Sequence, residues 1–97
     1  DEEKIIKYGP VSKEVSEEMC RNIKSITGSN AAISTTGISG PDGATKDKPV
    51  GIVYITVNYL DIFVTKEFFL PPKRNIHRKV AAHVALNMLR RLIISNK

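Results

Sequence analysis

The 97 residues contain a single cysteine and few aromatic residues. Cys20 has no partner for an internal disulfide and no second thiol with which to build a thiolate metal site, which agrees with a reducing compartment. No apolar run approaches the roughly 20 residues that a membrane span needs. The charged start followed by "IIKYGPVSKE" lacks the apolar core of a signal peptide. These absences point to an intracellular, cytoplasmic chain with no part in a membrane. Acidic residues are missing from Lys73 onward, where Lys73, Arg74, Arg78, Lys79, Arg90, Arg91 and Lys97 stand, whereas Asp1, Glu2, Glu3, Glu14, Glu17 and Glu18 gather in the first half. The net charge of +5 is therefore concentrated toward the C-terminal end. Such a stretch favours anionic partners, although a solvated helix face is the plainer reading of any one of these charges.

With 41% hydrophobic residues in 97, the chain is sized for one small core. Ser12 is suited to cap a helix, and Val15, Met19, Ile23 and Ile26 recur at helical spacing before Gly28, which predicts a helix over 13–27. "AAIST" from Ala31 reads as a short buried strand. "GIVYITVN" from Gly51 is rich in β-branched residues and almost continuously apolar, as in a central strand covered on both faces. "IFVTKEFFL" from Ile62 has Thr65, Lys66 and Glu67 in its middle, which suits an edge strand. The link Tyr59-Leu60-Asp61 predicts an antiparallel hairpin between these two. "PPKRN" then ends the sheet, because proline cannot donate to a ladder. Asn75 is the predicted cap of a final helix over 76–95, with Val80, Val84 and Met88 on one stripe and Ala81, Ala85, Leu89 and Leu92 beside it.

The expected order is helix, strand, strand, strand, helix, an α/β layer with helices for both of its faces. Three strands are few for an open α/β sheet that binds ligands at its strand ends. The opening "DEEKIIKYG" is assigned no element of its own. The chain reads as part of a larger fold.

The stretch "TTGISGPDGATKDKPVGIVYITV" from Thr35 invites comparison with phosphate-binding loops. A Walker A motif fails, since the fifth residue after Gly40 is Thr45 rather than glycine. The Rossmann turn fails because Gly37, Gly40 and Gly43 are evenly spaced and lead into a strand. A more general device remains open, in which glycines allow successive N–H groups to converge on an anion. Thr36, Ser39 and Thr45 would add hydroxyls, and Lys46 and Lys48 charge. The alternative is a surface loop whose glycines and prolines only make turns.

This stretch resembles the CinA C-terminal domain family, in which a strand ending in Thr-Gly runs into a Gly-Pro-x-Gly loop and then Lys-Pro-Val-Gly before a second strand. "YGPVSKEVSEEMCRNI" is similar to the family's Gly-Ala-Val-Ser segment and following helix, and "LPPKRNIHRKVAAHVALNMLRRL" to its basic turn and last helix. Ala44 departs from a frequent glycine, and Pro72-Lys73 from a frequent Gly-Asp. The resemblance covers residues 1–97 as the C-terminal part of such a domain. It implies a three-layer α/β/α sandwich with a mixed sheet, of which this chain holds three strands and two main helices. It also implies hydrolysis of nicotinamide mononucleotide to nicotinic acid mononucleotide and ammonia, with no cofactor or metal. The family's serine in Glu-Ser-x-Thr-Gly-Gly, and the lysine and tyrosine of a Tyr-Ser-Asn-x-x-Lys segment, would lie before Asp1. Two strands would be missing with them.

The roles that the resemblance carries onto these residues are supportive. Thr36 and Gly37 would face the reacting group. Ser39, Gly40, Pro41, Asp42, Gly43, Thr45 and Lys48 would shape the mononucleotide pocket. Arg74, with Arg78, would neutralise the phosphate, a task for a planar bidentate donor. No other residue replaces the nucleophile. Ser12, Ser16 and Ser25 read as cap or helix residues, Ser39 has no base beside it, His77 and His83 read as packing or surface residues, and Cys20 as a small core residue.

Three readings follow. The chain is the pocket-forming part of an amidase whose nucleophile is on a missing N-terminal segment or another subunit, with a homo-oligomer as the expected assembly. Alternatively it is an inactive remnant that binds a mononucleotide or a partner. The third, a basic nucleic-acid-binding module, is disfavoured by the scarcity of aromatics and the lack of any helix-turn-helix or RNA-recognition pattern.

Overall fold

A computed structural model describes residues 2–38, 50–71 and 73–96, with all their side chains except those of Glu2 and Arg74. The element order is α1 (Glu2–Tyr8), α2 (Lys13–Thr27), β1 (Ala31–Gly37), β2 (Ile52–Tyr59), β3 (Ile62–Phe69) and α3 (Arg74–Ser95). The opening segment, which carries no clear sequence signal, forms the short helix α1. It lies against α2, where Lys4 pairs with Glu18 at 3.2 Å.

Helix α2 occupies the span its periodicity predicts. The Ser12 hydroxyl accepts from the Val15 N–H at 3.2 Å and donates to the Gly9 carbonyl at 3.0 Å. At the other end Gly28 takes the left-handed conformation (φ 66°) and its N–H donates to the Lys24 carbonyl, the αL termination that glycine permits. The buried line of α2 is Val15, Ser16 and Cys20. Met19, Ile23 and Ile26, which share the expected apolar stripe, are exposed.

The sheet has the order β1-β2-β3. Both pairings are antiparallel, with Thr36 opposite Tyr54 and Tyr54 opposite Glu67. The resemblance implied a mixed sheet, but the described strands contain no parallel pair. β2 is central and buried along nearly its whole length, as its β-branched, apolar run requires. The β2–β3 turn places Leu60 at φ 57° without a glycine. The Asn58 side-chain amide holds it there by donating to the carbonyls of Leu60 and Ile62, both at 2.9 Å.

The two faces of the sheet are covered differently. On one, Val53, Ile55 and Val57 pack with Ala85, joined by Val84, Met88, Leu89 and Leu92 of α3. On the other, under α2, the seam is made of hydroxyls. The Ser16 and Thr56 hydroxyls lie 2.9 Å apart, Thr56 and Thr65 2.8 Å apart, and Ser34 donates to the Ser16 carbonyl. Small paired side chains let α2 approach closely while these hydroxyls stay matched.

Helix α3 begins at Arg74, two residues before its predicted start. Its cap is Lys73, not Asn75, and no side chain bonds to the cap position. It is 22 residues long, and among the described residues no helix is both long and apolar enough to cross a membrane.

Candidate functional site

β1 delivers its carboxyl end beside the N-terminus of α3. Between them lies a cavity of about 540 Å³ lined by Ile33, Thr35, Gly37, Val53, His77, Arg78, Ala81, Ala82, Ala85 and Leu86. Strand alternation explains the β1 contribution, because Ile33, Thr35 and Gly37 all face α3. Gly37 is required here for space, since a Cβ at this position would lie 2.7 Å from the Ile52 carbonyl oxygen.

Gly37 and Arg78, both expected at a binding site, are brought to the same end of this cavity. Thr36 is not. Its side chain points to the opposite face of the sheet, where its hydroxyl donates to the Pro10 carbonyl at 2.8 Å. Arg74 stands at the first position of α3. Ser39, Gly40, Pro41, Asp42, Gly43, Thr45 and Lys48 lie outside the described residues.

The electrostatics at this end of the cavity favour an anion. The first turn of α3 contains no acidic residue and no capping side chain, so among the described residues nothing offsets the positive dipole end of this long helix. Arg78 adds a formal charge.

Of the two roles read for His77, packing or surface, the structure gives it the first. It lies on the buried stripe with Ala81 and Ala85, is 4% exposed, and its Nε2 has no hydrogen-bond partner among the described residues. The four-residue spacing to Ala81 was the available signal. His83, one turn and a half further on, is exposed as expected. Cys20 is fully buried, and burial pushes its thiol pKa up, partly offset by a hydrogen bond with Ser34. It is therefore an inert core residue rather than a nucleophile.

The model of the CinA C-terminal domain matches residues 1–93. The chain belongs to this family. A CinA-like protein from Syntrophomonas wolfei is 45% identical over 89 residues, covering 92% of this chain and 21% of the relative. A CinA-like protein from Prochlorococcus marinus is 41% identical over 98 residues, covering 98% of this chain and 23% of the relative. The chain thus spans about a fifth of the length of the curated relatives it matches. Among solved structures, the competence/damage inducible protein CihA from Agrobacterium tumefaciens superposes with a TM-score of 0.89 at 28% identity, over 95% of this chain and 57% of its own. A competence-damaged protein (CinA) superfamily protein from Escherichia coli has a TM-score of 0.88 at 23% identity, with 95% of this chain and 54% of its own covered, and shares the fold. The α/β architecture is accordingly that of solved members, and the chain covers somewhat more than half the length of these two solved chains.

Proposed function

We propose that this chain forms the mononucleotide-binding part of a cytoplasmic CinA-type amidase that converts nicotinamide mononucleotide to nicotinic acid mononucleotide and ammonia, a step in pyridine nucleotide salvage. The observation that carries the reading is the cavity between β1 and α3. Its 540 Å³ volume lies in the range of small-ligand sites, and its anion-favouring end suits a phosphate. Arg78 and Arg74 hold that phosphate, Gly37 allows close approach of backbone, and the Ser39–Gly43 stretch with Thr45 and Lys48 forms an adjoining wall. Thr36 supports the site by fixing the end of β1.

Amide hydrolysis by covalent catalysis needs a nucleophile with a base in reach. The 97 residues hold no Glu-Ser-x-Thr-Gly-Gly segment, and neither Cys20 nor Ser16, both buried, replaces it. The chemistry is supplied by a further segment or by another subunit.

Isothermal titration of the chain with nicotinamide mononucleotide, alongside an ammonia-release assay, tests this reading. Binding that inorganic phosphate competes away, without ammonia release by these residues alone, is the expected result. Absence of binding at millimolar ligand would overturn it.

A further inference from the structure

Lys66 of β3 and Arg91 of α3 stand on opposite walls of a second groove, of about 410 Å³, on the flank of α3 away from β1. Its construction follows from the two periods of helix and strand. Val84, Met88 and Leu92 recur every four positions of α3 and form the floor. This row spans eight residues, about 12 Å. Asn87, Arg91 and Ser95 make the adjoining row of the helix, so the charge of that rim is Arg91's alone. Val64, Lys66 and Phe68 alternate along β3 and therefore all project to the α3 face. The apolar members of the groove are only partly buried against the core, and the rest of their surface is left to the groove.

The fold does not account for both cations. A mid-strand lysine protects an edge from foreign strands, but Arg91 is on a helix. Among the described residues neither side chain has an ion pair or a hydrogen bond. The acids nearest to Lys66 in sequence are engaged elsewhere. Glu67 turns to the opposite face of the sheet, where it accepts the Tyr54 hydroxyl at 2.7 Å. Asp61 lines a separate groove with Arg21 and Lys24. Helix α3 contains no acidic residue at all. Two like charges thus flank an apolar trough with no anion of the chain between them.

We propose that this groove binds a small amphipathic carboxylate, its apolar tail on the Val84–Leu92 floor and its carboxylate between Lys66 and Arg91. The volume lies in the range of small-ligand sites, and a floor of this length suits one alkyl chain of medium length. The planar guanidinium of Arg91 can take both carboxylate oxygens, while Lys66 supplies a mobile point charge. The stem of Lys66 adds apolar surface beside the tail. This site is separate from the cavity between β1 and α3, since the two lie on opposite flanks of α3 and share no lining residue. The inference therefore does not rest on the mononucleotide reading, and either can fail without the other.

The test is an NMR titration of the chain with hexanoate, octanoate and decanoate, each kept monomeric, beside uncharged decanol. Decanoate is expected to give saturable shifts at Val64, Phe68, Val84, Met88 and Leu92. Affinity should rise by about two- to fourfold per methylene, the scale of burying that group in a half-open groove. Lys66→Gln and Arg91→Gln alter exposed side chains, so the free chain stays folded. Each should weaken decanoate binding by about three- to tenfold. Lys79→Gln, on α3 but outside the groove, should leave it unchanged. The absence of saturable shifts at millimolar decanoate overturns the proposal, as do equal binding of decanol, equal loss in Lys79→Gln, or shifts centred on the cavity between β1 and α3. Self-association that Arg91→Gln abolishes would give the groove to a second copy and overturn it too. Binding confined to phosphatidylglycerol vesicles, without response to monomeric decanoate, would do the same.

Discussion

The Thr36 hydroxyl donates to the carbonyl of Pro10, 26 positions earlier in the chain. This one bond ties the carboxyl end of β1, where the glycine-rich loop begins, to the turn that launches α2. The same turn is held by Ser12, bonded both to Gly9 and to Val15. The end of the strand is therefore positioned by residues far away in sequence.

Thr36→Val keeps the shape of the side chain but removes the donor. We expect a loss of about 1 kcal/mol in a urea unfolding titration, with Thr36→Ser close to wild type. Equal loss in both variants would show that the Pro10 bond contributes nothing.

Gly37→Ala places a methyl group 2.7 Å from the Ile52 carbonyl oxygen. Backbone must move to admit it, at about 1–3 kcal/mol, visible as a lowered thermal midpoint. Thr35→Ala, at an exposed neighbouring position, serves as the control and is expected to change little.

Ser16 sits at the junction of α2 with two strands, its hydroxyl 2.9 Å from that of Thr56 and 3.3 Å from that of Ser34. Ser16→Val overfills this seam, while the Thr56 and Ser34 hydroxyls keep Thr65 and the Ser16 carbonyl as partners. It should lower stability by about 1–3 kcal/mol in denaturant titration, more than Ser16→Ala.

Burial raises the Cys20 pKa in the folded chain. Above the ordinary thiol value of about 8.5 the unfolded state loses this proton more readily than the native state. Stability from this group is thus full below that value and is lost as pH rises through it. Cys20→Ala should reduce the decline in unfolding free energy above about pH 8.5, and the wild-type thiol should resist alkylation until the chain unfolds.

Arg78→Ala is expected to weaken nicotinamide mononucleotide binding by roughly 10- to 100-fold, the scale of one lost charge-assisted hydrogen bond. Lys79→Ala, one position along the same helix, should have little effect. Comparable losses in both variants, both relieved by salt, would indicate a general field rather than a phosphate contact.

Local signals were legible where a few neighbouring residues decide the outcome. The limits of α2 follow from Ser12, Gly28 and the repeat between them. The central place of β2 follows from its apolar run, and the edge place of β3 from Lys66 and Glu67. The family was legible as well, because the Thr-Gly and Gly-Pro-x-Gly spacing is unusual. Outcomes that depend on what packs against what were not. Met19, Ile23 and Ile26 repeat at helical spacing, yet the sheet takes Ser16 and Cys20, whose small side chains match the hydroxyls of Ser34 and Thr56. For His77 the sequence left packing and surface both open, and the rotation of α3 over β2 turns it inward.

By itself, then, the sequence determined the identity and order of most elements, since caps, turns and hydrophobic period act within a few residues of one another. Tertiary structure decided which face of each helix is buried, that Gly37 and Arg78 share a cavity while Thr36 turns away from it, and that β1 is an outer strand of the described sheet. These depend on strand register and on close packing between residues dozens of positions apart, which no local pattern encodes.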